Sequence, residues 1–296
     1  MSPELLKNRA LMLRKARAFF DTRNALEVDC GALVKRAPID ANIDVMTVSV
    51  SPSENGFLHT SPEYAMKKLL SEGASDIYFL GHVFRRGEIG KRHNPEFTMA
   101  EWYRIGFSLK QMIQETCLFL SLFLGDLPIR HLSYRKAFLE YAKLNYTQDP
   151  LPVINSSWSR TETLHYILSH EIEPHLGKDE LTILTDYPPY EAALACVKEK
   201  DGEFVAERFE IYHKGVELAN GYHELSNAEE LKNRFEKENR MRLSRNEQPY
   251  ILDEIFLAAM RKGIPDCCGV SVGFDRALML QEKKESLSEI IPLHWQ

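Results

Sequence analysis

The sequence lacks most of the short patterns by which nucleotide- and metal-using enzymes are found. It contains no Walker A sequence, no G-x-G-x-x-G and no H-E-x-x-H. P-loop, dinucleotide-binding and zinc-protease sites of the common types are therefore not predicted. A nucleotide site in this chain must use another arrangement of arginines and polar groups.

Cysteine and long apolar runs are also scarce. The five cysteines, at 30, 117, 196, 267 and 268, form no C-x-x-C pair and leave one odd thiol, which favours a reducing compartment. The first residues are punctuated by Lys and Arg, so no signal peptide is predicted. The densest apolar stretch, 117–124, is far too short to cross a bilayer. We therefore expect a cytoplasmic protein with no membrane partner.

Basic residues are in the minority, with 37 Lys and Arg against 43 Asp and Glu and a net charge of −6. Bulk charge therefore gives no attraction to nucleic acid. The composition, 44% hydrophobic and 27% charged, is that of an ordinary globular protein, and 296 residues allow one large or two medium domains. Because no repeat or Pro-rich linker divides the chain, we predict a single α+β domain over 1–296, with antiparallel hairpins packed by helices.

Hydrophobic periodicity predicts the elements of this domain. Predicted helices cover 3–23, the segment from 61, 109–124, 226–245, 251–262 and 275–281. Predicted strands cover 43–50, 77–84, 97–105, 204–212, 216–225 and 269–274. The segment 131–180 looks helical, and a capping box of Ser226 with Glu229 is predicted to begin the helix at 226.

One loop, residues 84–97, is dense with groups suited to a nucleotide. Arg85, at the end of a predicted strand, can clamp a phosphate, and His93 can add a hydrogen-bond donor. Asn94 can read an adenine edge, and Phe97 can stack on the base. The same spacing fits a charged hairpin loop that faces solvent, so both interpretations stay open from the residues alone.

A second group of residues is acidic. Glu210, Glu217 and Glu224 fall on neighbouring strands of a predicted hairpin, where their charges repel one another unless cations neutralise them. Mg²⁺ with ATP and an amine substrate are two candidate cations. An exposed edge hairpin with outward carboxylates is the alternative.

The third group, 269–276, is a Gly-spaced strand that runs directly into a helix. Its small residues allow a ligand to approach the backbone, and Arg276 in the first helical turn can clamp a phosphate. A tightly packed strand with a helix capped by Asp275 fits equally well.

Together these segments resemble the catalytic core of class II aminoacyl-tRNA synthetases of the lysyl type. Phe84-Arg85 with 93–101 is similar to motif 2, and 269–276 is similar to motif 3. Residues 61–67 and 217–224 are closer still to the branch of ligases that attach (R)-β-lysine to elongation factor P and lack an anticodon-binding domain. The resemblance covers essentially the whole chain. It implies an antiparallel sheet of six strands flanked by helices, a homodimer, ATP and Mg²⁺ as cofactors, elongation factor P as the acceptor and no tRNA.

The resemblance also implies roles for individual residues. Arg85 and Arg276 would be catalytic, holding the α-phosphate and the distal phosphates of ATP. The wider ATP site would comprise Arg85, Arg86, Gly87, Glu88, His93, Asn94, Phe97, Glu217, Leu218, Gly273 and Arg276. Mg²⁺ would be held by Glu210 and Glu217. The amino-acid site would comprise Ser61, Pro62, Glu63, Glu101, Tyr103, Asn220, Glu224 and Ser271.

Three positions depart from the family pattern. Gly87 stands where motif 2 usually has Glu, so either Glu88 takes over by a shift in the loop or the adenine contact is made by the backbone. The stretch that matches motif 1, residues 28–31, has no proline, which weakens the dimer prediction. Ser271 replaces the Gly of lysyl synthetases and the Ala typical of the β-lysine ligases, and its bulk is predicted to reshape the pocket floor against α-lysine.

Other functions on the same fold remain open at this point. A truncated lysyl-tRNA synthetase core would charge tRNA. An ammonia-using asparagine synthetase would not need Glu101, Tyr103 and Glu224 around a distal ammonium. A non-catalytic paralogue would be consistent with Gly87. The amino-acid substrate of ATP–pyrophosphate exchange and the nature of the acceptor separate these alternatives.

Overall fold

The computed structural model describes residues 2–148 and 150–295. By its internal contacts the chain divides into two compact units. The first unit is formed by residues 1–124 and 224–296, and the second by residues 125–223. The single domain over 1–296 therefore stays a prediction.

The described residues form these elements in chain order. The α-helices are α1 (Pro3–Asp21), α2 (Glu63–Ser71), α3 (Leu109–Leu124), α4 (Tyr134–Ala137), α5 (Arg160–Ile167), α6 (Ala228–Ser244), α7 (Glu254–Lys262) and α8 (Phe274–Gln281). The strands are β1 (Leu26–Glu27), β2 (Leu33–Val34), β3 (Met46–Ser51), β4 (Glu54–Leu58), β5 (Ile77–Phe84), β6 (Glu96–Ile105), β7 (Ile129–Ser133), β8 (Leu181–Tyr187), β9 (Val197–Lys200), β10 (Glu203–His213), β11 (Val216–His223) and β12 (Cys267–Gly273). Short π-helical turns lie at Phe138–Ala142 and Leu168–Ile172, and 3₁₀ turns lie at Glu173–His175, Pro189–Glu191 and Leu287–Glu289.

The first unit is built on the strands β1, β5, β6 and β12, in that order. β5 and β12 both run antiparallel to β6, and the short β1 runs parallel to β5. An aromatic cluster fixes α1 and α3 against one face of these strands. Phe20 of α1 stacks on Tyr78 with 4.2 Å between ring centroids, and Phe119 of α3 lies 5.3 Å from Trp102. A separate antiparallel sheet has the order β2-β4-β3.

The second unit is built around the long strand β10, which pairs antiparallel with β8, β9 and β11, while β7 runs parallel to β8. Its core contains Tyr134, which stacks on Phe138 at 4.6 Å and meets Tyr187 at 5.1 Å between centroids. Apolar side chains thus cover one side of β8 and β10.

The predicted α+β class with mainly antiparallel pairing flanked by helices is confirmed. β5 and α3 have the predicted bounds, and β6 begins one residue earlier than predicted. The segment 131–180 is only partly helical, because β7 overlaps its start and its helical turns are short and interrupted. No described helix is long and apolar enough to cross a membrane.

The predicted capping box at Ser226 is wrong by one residue. Asn227 is the N-cap of α6, and its side chain accepts hydrogen bonds from the backbone N–H groups of Glu229, at 3.1 Å, and Glu230, at 2.9 Å. Asn and Ser are both good caps, so the two candidates could not be ranked by residue type alone.

We expect Asn227→Ala to destabilise the protein by about 1 kcal/mol, because two N–H groups at the start of α6 lose their acceptor. Ser226→Ala is the matched control and should be neutral, since the cap bonds come from its neighbour. Urea unfolding of both variants measures the difference. Equal losses of stability in the two variants would contradict this assignment of the cap.

Candidate active site

The pairing of β6 with β12 brings the predicted amino-acid residues of the first unit together. Glu101 lies opposite Ser271, and Tyr103 lies opposite Gly269. Because side chains two apart on a strand point to the same face, Glu101, Tyr103 and Ser271 share one face of the sheet. Residues separated by 170 positions in the chain, Glu101 and Ser271, thereby make direct contact.

Glu101 lies at the centre of this group and is fully buried. Its Oε2 atom accepts hydrogen bonds from the hydroxyls of Ser61, at 2.8 Å, and Ser271, at 2.6 Å, and its Oε1 atom accepts one from Tyr103, at 3.0 Å. These three donors are neutral. Burial and then the nearby charge of Glu63 raise the pKa of Glu101 to about 7. A cation bound next to Glu101 would therefore stabilise its ionised form.

Lys67 joins two further acids of the predicted site. Its Nζ atom lies 2.6 Å from a carboxylate oxygen of Glu63 and 2.6 Å from one of Glu224. Burial lowers the pKa of this lysine, but the two carboxylates outweigh burial and raise it overall. Burial, partly offset by Lys67, raises the pKa of Glu224 to about 7. We name Glu63, Glu101 and Glu224 with Lys67 the carboxylate cluster.

Lys67 lies within residues 61–67, which resemble the ligase branch, but the resemblance implies no role for it. The available signal was its spacing: Glu63 and Lys67 are four residues apart and lie on the same face of α2. The second partner, Glu224, is distant in the chain and could not be found from local spacing.

Gly269 is a glycine because of its neighbours in the site. A Cβ atom at this position would lie 2.3 Å from Oε1 of Glu224 and 2.5 Å from the ring of Tyr103. The missing side chain therefore makes room for Glu224 and Tyr103, whereas the sequence suggested room for a ligand.

The stretch Gly269–Gly273 also spells G-x-S-x-G, a pattern of serine hydrolases. Ser271 lies inside β12, however, and its hydroxyl donates to a carboxylate.

The motif 2 residues lie at the end of β5 and the start of β6. The guanidinium of Arg85 lies 5.1 Å from the ring centroid of Phe97, and its Nη1 atom is 3.6 Å from Oε1 of Glu88. Gly87 has φ +78°, a conformation that glutamate rarely adopts. The loop therefore brings Glu88 beside Arg85, which supports the first alternative for the Glu missing at 87. Arg86 pairs through its backbone with Asp44.

The motif 2 loop also meets the start of α8. Nη2 of Arg276 lies 2.9 Å from Nε2 of His93, and burial and then the charge of Arg276 lower the pKa of that histidine. The amide of Asn94 donates to the carbonyl of Glu96 at 2.5 Å and accepts from the backbone of Trp295 at 3.2 Å. The first unit thus contains three groups that are cations or hydrogen-bond donors, on Arg85, His93 and Arg276.

Asp275 at the start of α8 and Ser61 just before α2 each have a structural contact that the sequence did not indicate. Asp275 does not cap α8, because Gly273 is the N-cap. The carboxylate of Asp275 instead binds Arg9 of α1 at 2.5 Å and the backbone N–H of Thr98 at 2.7 Å. Pro62 is the N-cap of α2, and the hydroxyl of Ser61 accepts from the N–H of Glu63 at 3.0 Å.

The predicted magnesium residues lie in the second unit. Glu210 of β10 is buried and accepts hydrogen bonds from Tyr187, at 2.6 Å, Tyr212, at 2.5 Å, and Arg208, at 2.5 Å. Burial and then the charge of Glu210 raise the pKa values of Tyr187 and Tyr212, and Glu217 adds to this effect. In residues 2–148 and 150–295 no group of three or more His, Cys, Asp or Glu could hold a metal. Mg²⁺ carried by ATP needs only one or two carboxylates, so a magnesium site at Glu210 and Glu217 stays a prediction.

The remaining predicted residues of the second unit lie on β11. Asn220 lies opposite Glu210 in the pairing with β10, and its Oδ1 atom is buried without a hydrogen-bond partner among the described residues. Leu218 is buried. Their contacts with substrate stay predictions.

Comparison with known proteins identifies the family. The profile of the class II tRNA synthetases (D, K and N) matches residues 2–294. The chain is 38% identical to the elongation factor P–(R)-β-lysine ligase of Klebsiella pneumoniae subsp. pneumoniae, over 98% of this chain and 94% of that protein. It is 38% identical to the ligase of the same name from Haemophilus ducreyi, over 98% of this chain and 93% of that protein. It is 37% identical to the ligase of the same name from Salmonella typhi, over 98% of this chain and 94% of that protein. The chain therefore belongs to the family of class II tRNA synthetases of the D, K and N type.

Proposed function

We propose that this chain is an ATP-dependent ligase that activates (R)-β-lysine as an adenylate and transfers it to a lysine side chain of elongation factor P. The observation that carries the proposal is the largely buried carboxylate cluster of the first unit, with three acids and one lysine. An amino acid with two ammonium groups supplies the charge that this cluster lacks. The names of the similar ligases support the same substrate and acceptor.

In the first step a carboxylate oxygen of β-lysine attacks the α-phosphorus of ATP, and the bond to pyrophosphate breaks. Negative charge accumulates on the phosphate oxygens in the transition state. We assign its stabilisation to Arg85, with Arg276 on the distal phosphates and Phe97 against the adenine. Glu88 lies next to Arg85, and His93 lies next to Arg276. Arg86, Gly87, Asn94 and Gly273 complete the proposed ATP site of the first unit.

In the second step the ε-amine of the acceptor lysine attacks the carbonyl carbon of the mixed anhydride. AMP leaves, an amide forms, and the attacking nitrogen loses a proton. The cluster contributes by holding the aminoacyl group, since buried carboxylates that would be left unpaired reject amino acids with a neutral side chain. Ser61, Pro62 and Tyr103 line this part of the site, and Ser271 forms its floor and donates to Glu101.

The proposal extends to the second unit and to the assembly. Glu210 and Glu217 would hold Mg²⁺, which supplies charge neutralisation at the phosphates when it is bound. Asn220 would orient the substrate carboxylate, and Leu218 would contact the nucleotide. A homodimer that acts in the cytoplasm and does not use tRNA completes the proposal.

ATP–pyrophosphate exchange tests the first step. We expect exchange with (R)-β-lysine, weaker exchange with α-lysine and (S)-β-lysine, and none with aspartate, because aspartate has no second ammonium for the cluster. Exchange that depends on aspartate and ignores all three lysines would favour a different ligase on this fold.

The acceptor is tested separately. Labelled β-lysine should become attached to elongation factor P and not to tRNA(Lys). An elongation factor P variant with arginine at the acceptor lysine is the control and should remain unlabelled. Efficient tRNA charging without protein labelling would show a synthetase core instead.

A further inference from the structure

We propose that Lys67 is a positioning residue whose ammonium group permanently neutralises one of the three carboxylates of the carboxylate cluster. The two negative charges that remain then match a substrate with two ammonium groups. The inference rests on the proposed function and deepens it, because it names the residue that sets the number of charges accepted by the amino-acid site. It concerns a side chain to which neither the motifs nor the predicted site assigned a role.

The first argument is burial. The side chain of Lys67 is 1% exposed, whereas the next residue on α2, Lys68, is 34% exposed and pairs with Asp253. Burying an ammonium is costly unless it is fully paired. Lys67 meets this condition with two carboxylate oxygens, each 2.6 Å from Nζ. A lysine in this environment is a fixed positive charge.

The second argument is the charge of the cluster. Glu63, Glu101 and Glu224 contribute three negative charges when ionised, and Lys67 contributes one positive charge. Lys67 contacts Glu63 and Glu224, while Glu101 accepts from the hydroxyls of Ser61, Ser271 and Tyr103. When all three acids are ionised, a net charge of two negative units therefore faces the substrate, and β-lysine carries two ammonium groups. An amino acid with one ammonium leaves one buried carboxylate unpaired, which disfavours its binding.

The third argument is position. Glu63 belongs to α2, and Glu224 follows the second unit in the chain, so no common element fixes the distance between them. Nζ of Lys67 contacts both carboxylates and holds them against their mutual repulsion. The absence of a Cβ at Gly269 leaves the space into which Glu224 fits. Removal of the lysine charge should therefore displace the two acids that bind the substrate amines.

The test compares Lys67→Met, which keeps most of the side-chain volume, with Lys67→Ala, which leaves room for a small amine. In pyrophosphate exchange we expect both variants to raise the KM for β-lysine about tenfold or more and to leave the KM for ATP unchanged. Titration calorimetry of β-lysine should show the same loss of affinity without relying on turnover. Lys68→Ala is the matched control and should keep wild-type values for both substrates, since its partner Asp253 lies outside the cluster.

Chemical rescue separates positioning from a purely structural role. n-Propylammonium has the atoms that Lys67→Ala lacks beyond Cβ, so it should lower the raised KM of this variant and should not help the wild type or Lys67→Met. n-Propanol, its neutral counterpart, should have no effect. An unchanged KM for β-lysine in both variants would overturn the inference, as would a loss of activity that n-propylammonium leaves untouched in folded Lys67→Ala.

The outcome also distinguishes this inference from the proposed function. Wild-type protein that neither binds nor activates β-lysine would overturn the proposed function and the inference together. Wild-type protein that binds β-lysine while Lys67→Met binds it equally well would overturn the inference alone.

Discussion

Arg85→Ala is expected to reduce pyrophosphate exchange by about 10²–10³-fold or more, because the variant loses a cation that acts on the charge developing at the α-phosphate. The change in stability should be small. In the free protein the Nε atom of Arg85 donates to the carbonyl of Thr60 at 3.4 Å, and its contact with Glu88 is 3.6 Å long. Both contacts are long for charged groups, so their loss costs little.

Single-turnover kinetics and thermal unfolding measure the two halves of this prediction. Arg85→Lys keeps a charge without the planar fork of the guanidinium, so it should recover part of the rate. Arg17→Ala is the control. Arg17 lies on α1, forms an exposed ion pair with Glu27 and is not part of the proposed ATP site. Exchange by Arg85→Ala within a few-fold of wild type would falsify the motif 2 assignment.

The sequence predicts regular elements best where a single periodicity persists. β5 and α3 have the predicted bounds because each is a continuous apolar or amphipathic run with clear polar ends. The segment from 131 to 180 was predicted poorly, since its helical turns are short and alternate with π and 3₁₀ geometry. Their positions depend on packing around residues such as Tyr134, which no local pattern reveals.

The candidate site shows the same division. Motif resemblance selected Glu63, Glu101 and Glu224, and the structure places all three in one cluster in which Glu101 and Glu224 are buried and Glu63 is partly exposed. The balance of charge within the cluster could not be predicted, because it depends on the contact between Lys67 and Glu224 across 157 positions of sequence. The reason for glycine at 269 was equally hidden, since it lies in the side chains of Glu224 and Tyr103.

Glu101→Gln is expected to weaken the binding of β-lysine strongly and, at pH 8, to stabilise the free protein. Loss of the carboxylate removes a partner of a buried ammonium, which should lower kcat/KM for β-lysine about 10²-fold or more. The stabilisation follows from the pKa of Glu101, which burial and then Glu63 raise from 4.5 to about 7. Between these values the folded protein binds more protons than the unfolded chain, so wild-type stability falls as pH rises through this window.

The glutamine variant carries no such charge and should therefore be more stable than the wild type by about 3 kcal/mol at pH 8. Its amide can still bond the hydroxyls of Ser61, Ser271 and Tyr103, because hydroxyl groups reorient as donors or acceptors. Below pH 4.5 the advantage should disappear, since Glu101 is then protonated in both states. Urea unfolding of both proteins from pH 4 to pH 8 measures this dependence.

A second buried glutamate provides the contrast that makes the result specific. Glu115 of α3 accepts from Arg104 at 2.7 Å and 2.8 Å and from the indole of Trp102 at 3.0 Å. Glu115→Gln should therefore destabilise the protein by about 3 kcal/mol, because it leaves a buried guanidinium without its main counter-charge. A gain of stability in Glu101→Gln together with a loss in Glu115→Gln at pH 8 would mean that the charge of Glu115 stabilises the fold. It would also mean that the charge of Glu101 lowers stability and is kept for binding the substrate. A loss of stability in Glu101→Gln at pH 8 would instead place Glu101 among the groups that hold the fold together.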